Sequence, residues 1–226
     1  MTTSDPAVQP AWRRPTRGEH RWPAAVAVAV AIVLHIRLPI PMSVVNRWLL
    51  PGLETLLLVS LVIANPLRTN RESTALRLLG ITLASTVGFA TAWSVVTLVT
   101  GLVEGRFGGN ASDLLVTGAS ILVTNVITFA LLFWEFDRGG PAARAMGRAD
   151  HPDFLFVQMQ SPEMADPEWE PTFLDYFYVA CTNSTAFSPT DTMPLSHWAK
   201  MTMLFESLVS LVTVVLVVAR AVNVLD

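Results

Sequence analysis

The stretch that decides the fold is Leu174–Asn223, LDYFYVACTNSTAFSPTDTMPLSHWAKMTMLFESLVSLVTVVLVVARAVN. It opens with a short aromatic-rich amphipathic segment. A Thr/Asn/Ser loop follows, then Asp191-x-x-Pro194-x-Ser196, then a long apolar run. The opening segment is about half the length of ~20 apolar residues that a bilayer crossing requires. A half-length apolar helix followed by polar loop residues and a full-length apolar helix predicts a re-entrant element. Non-helical backbone is tolerated at membrane depth only where protein buries it or water reaches it.

The rest of the chain places this element in a membrane protein. Of 226 residues, 52% are apolar and only 15% charged, and the apolar residues come in long blocks. The sequence predicts an all-α integral membrane protein with about five transmembrane helices plus one re-entrant pore-helix and loop before the last. Residues 1–21, with Pro6, Pro10, Pro15 and four arginines, are expected to form a mobile basic arm. Residues 22–136 hold four spans, the first of them weak because Arg37, Pro39 and Pro41 follow its short apolar core. Residues 137–170 form a polar loop, and residues 171–226 hold the re-entrant loop and the final span. Trp22, Trp48, Trp134 and Trp198 fall at span ends, as an interfacial belt requires. The Arg bias and the abundant Ala and Val suggest a bacterial inner, or plasma, membrane as the multi-pass location.

Arg13, Arg14, Arg17, Arg21, Arg68, Arg71, Arg77, Arg138, Arg144 and Arg148 lie on one side of the spans, and Arg37, Arg47 and Arg106 on the other. The positive-inside bias puts the N-terminus in the cytoplasm. The loop then enters from the cytoplasmic face.

Within the loop, Asp166-Pro167 and Pro171-Thr172 are both helix-start signals, and the helix is expected to end near Thr182. Thr182, Asn183, Ser184, Thr185 and Ser188 supply hydroxyl and amide oxygens suited to alkali cations or water. Asp191 stands at the exit, Pro194 delays the next helix and Ser196 caps it.

The order of these features resembles the pore helix, selectivity filter and inner helix of the potassium-channel superfamily, over roughly the last quarter of the chain. In that likeness Ser184 falls on the Thr of Thr-Val-Gly-Tyr-Gly-Asp, Thr185 on the Val, Ala186 on the first Gly, Phe187 on the Tyr and Ser188 on the second Gly. Asp191–Ser196 matches the exit, with Pro189-Thr190 inserted. The resemblance implies a homo-oligomer, expected to be a tetramer, around a pore for monovalent cations. Entry from the cytoplasm would either invert the module, as in ionotropic glutamate receptors, or mean that the weak first span does not cross. The filter itself departs from the family: Ala186 and Ser188 would adopt disfavoured backbone angles at about 1–2 kcal/mol each, and Pro189 restrains Ser188. A short constriction of side-chain oxygens with poor selectivity is expected instead.

Glu206, Ser210, Thr213 and Val217 share one face of the last helix and are expected to line the conduit. Glu54 lies on the same face as Arg47, and Asn125 sits mid-span as an interhelical hydrogen-bonding group. Gly80, Ala84, Gly88 and Ala92 form a small-residue packing stripe. No phosphate loop, nucleophile triad or metal-ligand spacing is present, so no enzyme, metal or cofactor is expected, and scattered basic residues give no case for nucleic acid. Cys181 is the only cysteine. Besides the lipid bilayer and its own copies, the sequence names no partner. The alternatives are a non-conducting structural or assembly membrane protein with a channel-like fold, or a small transporter using Glu54, Asn125 and Glu206.

Overall fold

The computed structural model describes residues 9–39, 48–64, 73–105, 111–148, 151–186 and 191–225. The architecture is all-α apart from one two-stranded ladder. Five apolar helices form the bundle: α1 (Trp22–Arg37), α2 (Leu49–Ala64), α3 (Thr74–Val103), α4 (Ala111–Phe136) and α8 (His197–Leu225). Three of them, α3, α4 and α8, are long and apolar enough to cross a membrane. The 16-residue α1 and α2 rise only about 24 Å, less than the ~30 Å hydrocarbon core. Between α4 and α8 lie α5 (Pro141–Ala145), strand β1 (Phe154–Leu155), α6 (Val157–Gln160), α7 (Phe173–Ala186) and strand β2 (Met193–Pro194).

α4 is the axis of the bundle, packed against α1, α3, α7 and α8. Two thirds of its most apolar window is buried (67%), against 28% for that of α8. α8 instead turns an apolar face outward, with Leu204, Phe205, Leu208, Val212 and Val215 exposed. Small residues set the close approaches. A Cβ on Gly118 would stand 2.7 Å from Val217 on α8, and one on Gly88 would stand 3.3 Å from Thr128. The stripe of Gly80, Ala84 and Gly88 on α3 thus faces α4, while Ala92 is exposed.

The ends of the elements sort onto two sides. The Arg21 guanidinium donates to the carbonyl of Leu61 near the end of α2 (3.0 Å). Thr16 N–H donates to Ala145 of α5 (2.8 Å). Residues 9–21, the end of α2, the start of α3 and residues 137–148 therefore share one end of the bundle, called the base below.

Here the structure differs from the expectation of a mobile arm, because residues 9–21 pack. Ala11–Arg13 form a 3-10 turn with Ala11 and Trp12 buried, and the guanidinium groups of Arg13 and Arg138 lie 4.5 and 5.5 Å from the Trp12 ring. By composition the arm is too polar to fold, but a single aromatic anchor, Trp12, is enough to seat it. Residues 137–170 likewise carry α5, β1 and α6. β1 pairs antiparallel with β2, Phe154 opposite Pro194. It wedges the Phe154 ring among Phe133, Tyr176 and Trp198, at 4.9, 6.2 and 5.7 Å.

Candidate functional site

α7 starts at the base with Thr172 tied to Asp175 in its first turn: Thr172 N–H and Oγ1 both donate to Asp175 Oδ2, at 2.7 and 2.9 Å. Phe173 N–H donates to Glu19 Oε2 (2.7 Å), and its ring stands edge-on to Trp134 at 5.9 Å. α8 also starts at the base. Trp198 Nε1–H donates to Asp153 Oδ1 (2.8 Å) and its ring lies 6.0 Å from Phe136. The chain thus leaves the base along α7 and is back at the base by β2.

Side-chain hydrogen bonds hold the far end of α7 to α8. Asn183 Nδ2 donates to Glu206 Oε2 (2.7 Å) and to the carbonyl of Met203 (2.8 Å), and Ser184 Oγ donates to Glu206 Oε1 (2.9 Å). Ser207 closes the cluster by donating to Asn183 Oδ1 (3.2 Å). Glu206 is wholly buried and Asn183 and Ser184 nearly so. A buried carboxyl with two donors is satisfied where a lone one would be costly.

The sequence places the end of α7 near Thr182, whereas the helix runs on to Ala186. Polar residues stay helical there because their side chains have partners. Thr182 and Thr185 hydroxyls bond back to the carbonyls of Tyr178 and Cys181, both at 2.9 Å, and Asn183 and Ser184 use Glu206. The expected filter residues consequently split. Asn183 and Ser184 point into the chain, Thr182 is half-buried, Thr185 and Ala186 are exposed at the helix end, and Asp191 is exposed beyond it. Phe187 and Ser188 lie outside the described residues.

The face of Glu206, Ser210, Thr213 and Val217 is indeed one face of α8, and all four are buried. Within one chain α7 and α4 cover it: Asn125 Nδ2 on α4 donates to Ser210 Oγ (3.1 Å), and Val217 closes on Gly118. The expectation that this face borders a conduit meets a physical obstacle, since Gly118 lets the helices come too close for water between them.

A second polar line crosses the bundle. His35 Nδ1 on α1 meets both oxygens of Glu54 on α2 (3.1 and 3.2 Å), its Nε2 lies 3.4 Å from Thr91 Oγ1 on α3, and Thr91 pairs with Thr128 on α4 at 3.0 Å. Arg47, the partner the sequence suggested for Glu54, lies outside the described residues. The only sequence signal for His35 was its position as a lone polar break near the end of an apolar run.

A third network, at the base, was missed altogether. Glu19 Oε1 accepts from Trp134 Nε1–H (2.5 Å) and Arg144 (3.4 Å). Arg144 also donates to the carbonyls of Trp134 and Asp137 (2.6 and 2.9 Å), and its guanidinium covers the Tyr176 ring at 4.9 Å. Tyr176 donates to Asp137 (2.5 Å). Burial holds the Glu19 carboxyl above its ordinary range, although Arg144 and the Trp134 hydrogen bond pull the other way. Nothing in spacing links residues 19, 137, 144 and 176. The interfacial reading of Trp134 is corrected by the same contacts: it is buried, and its N–H serves Glu19 instead of the lipid headgroups.

No protein-family model, no curated protein and no solved structure matches the chain. The class rests on the fold itself: an all-α bundle with three helices of membrane-crossing length and outward apolar faces, as a membrane protein has.

Proposed function

We propose that this protein is an oligomeric, channel-like membrane pore that passes monovalent cations with little selectivity, and that α7 with its return segment is the re-entrant pore element. One observation carries the reading. A 14-residue helix leaves the base, is fastened at its far end to Glu206, nine residues along α8, and the chain regains the base at β2. In a membrane the final carbonyls of such a helix lack intrahelical donors at hydrocarbon depth. Exposed Thr185 and Ala186 in one copy would face lipid there, which irregular backbone does not tolerate. Copies arranged about an axis enclose these ends and give them water, which is the reason for expecting a homo-oligomer, with a tetramer the simplest form.

In this arrangement the conduit runs past Thr182, Thr185, Ala186 and Asp191, and the buried Glu206–Asn183–Ser184 cluster braces it from behind. α1 and α2, though short, complete a five-span, multi-pass topology by local thinning of the bilayer and snorkelling of their flanking residues. The concentration of arginines at the base puts that end in the cytoplasm of a bacterial plasma membrane. Rotatable hydroxyls do not fix one coordination shell as rigidly as a column of carbonyls, so potassium and sodium are poorly distinguished. The test is the reversal potential of purified protein in a planar bilayer under opposed potassium and sodium gradients. A value near zero with measurable current supports the proposal, and strong potassium selectivity refutes the side-chain constriction.

A second reading, a small transporter, is favoured by the His35–Glu54–Thr91–Thr128 line, because ionisable groups inside a bundle commonly mark translocation paths. Substrate uptake into vesicles without electrical conductance would select it. An oligomer that neither conducts nor transports would leave the assembly role.

A further inference from the structure

Beside the base, an apolar slot opens between α1, α2, α3 and α4. Its walls are Ala24, Val28, Leu58, Leu61, Ala84 and Leu131. At its mouth stand Arg21, Arg77 and Glu135, with the Gly139–Ala143 segment across one side. The polar mouth and the apolar depth follow from the helices. Arg21 to Val28 on α1 and Arg77 to Ala84 on α3 each run seven residues inward, about 10 Å. Leu58 and Leu76 on its flank are only half-buried, so that side is left uncovered.

Two groups at the mouth lack partners. Glu135 is 6% exposed, lines the slot, and has no hydrogen bond or ion pair among the described residues. Arg144, Arg21 and Arg77 act on its charge only through space. Arg21 donates NH1 to Leu61, but its Nε is buried without an acceptor. Buried polar groups are almost always satisfied, and an orphaned one in a cavity asks for a ligand. The carboxyl also shapes the mouth: a Cβ on Gly80 would stand 2.9 Å from its Oε1. The exposed Trp22 beside Arg21 sets the mouth at headgroup depth.

A ligand that answers all of this has N–H donors for Glu135, an anionic oxygen for Arg21 and Arg77, and a hydrocarbon tail. We propose that the slot binds an aminophospholipid, with its primary ammonium on Glu135, its phosphate between Arg21 and Arg77, and one acyl chain along Val28 and Leu61. A purely anionic lipid such as phosphatidylglycerol brings only neutral hydroxyl donors to Glu135, and no ammonium to offset its charge. A choline lipid brings a cation with no N–H.

The experiment is lipid titration of the full-length protein in detergent, read by native mass spectrometry. Phosphatidylethanolamine, its mono- and dimethyl derivatives, phosphatidylcholine and phosphatidylglycerol are compared at matched acyl chains. Phosphatidylethanolamine should bind about tenfold more tightly than phosphatidylcholine, the increment of one charge-assisted hydrogen bond, and affinity should fall as N–H groups are methylated away. Glu135→Gln should erase that ranking. Arg77→Gln should weaken every phospholipid alike. Ala25 also lines the slot, and Ala25→Leu, which fills it without touching a charge, should lower all affinities and serves as the independent variant if Glu135→Gln does not fold. Equal binding of the ethanolamine and choline lipids overturns the proposal, as does a preference for phosphatidylglycerol or a methylation series without trend.

Discussion

Glu206→Ala removes the acceptor that joins α7 to α8. Asn183 keeps one amide hydrogen on Met203 and keeps its oxygen on Ser207, so it loses a single bond, but the freed N–H is buried. Such a group costs about 1–3 kcal/mol. Ser184 is cheaper to orphan because its hydroxyl can turn back to the carbonyl four residues earlier. The cavity left by the carboxyl side chain brings the expected total to about 2–4 kcal/mol. An ordinary interhelical hydrogen bond in a membrane protein is worth only about 0.6 kcal/mol, so the size of the loss tells whether the cluster is a true fastening. Glu206→Gln should be far milder, below about 1 kcal/mol, because Gln can accept from Asn183 while Ser184 turns to accept from its amide. Equilibrium unfolding by detergent titration, followed by tryptophan fluorescence, measures both. Hydrogen exchange of residues 180–186 reports whether the loss is local to α7. Glu206→Ala within about 0.5 kcal/mol of wild type, with unchanged exchange, would refute the fastening.

The His35–Glu54 pair should behave as a closed unit. His35→Leu alone leaves a fully buried carboxyl without its partner and should cost about 3–5 kcal/mol, while His35→Leu with Glu54→Leu should recover most of it; the same unfolding assay decides, and a double variant no better than the single would break the pairing. Gly118→Val should lower stability by about 1–3 kcal/mol through overpacking on Val217, and Val217→Ala should restore part of that loss in the Gly118→Val background. The raised Glu19 carboxyl binds its proton more readily in the folded than in the unfolded chain. It should therefore make the protein lose stability as pH rises from the ordinary carboxylate range through the raised value. Melting temperature against pH should lose that slope in Glu19→Gln, and an identical slope in both proteins would contradict the assignment.

The membrane-length helices were legible because hydrophobic blocks need no partner to be recognised: α3, α4 and α8 fall where the apolar runs lie. The start of α7 was legible as one of two candidates, Pro171-Thr172 beside Asp166-Pro167. Its end was not, since whether Asn183 and Ser184 terminate a helix depends on Glu206, more than twenty residues on, being there to receive them. The periodic face of α8 was read correctly as a face, but its direction depends on Gly118 in another helix. Glu54 was visible as an acid inside the second span on the face of Arg47, and nothing marked His35 as its partner, because their meeting is a property of how α1 and α2 pack. The base network was invisible for the same reason. Glu19 and Arg144 are ordinary charged residues until the arm folds back over Trp134.

The central claim is that the exposed end of α7 borders water on an axis between copies. Thr185→Cys in a Cys181→Ser background, recorded in a planar bilayer, tests it most directly. A membrane-impermeant cationic thiol reagent added to the side of the basic end should modify Thr185→Cys and reduce the current. It should leave the Cys181→Ser parent unaffected. A well-formed oligomer that carries no current, or a current that persists unchanged after complete modification of position 185, would contradict the account.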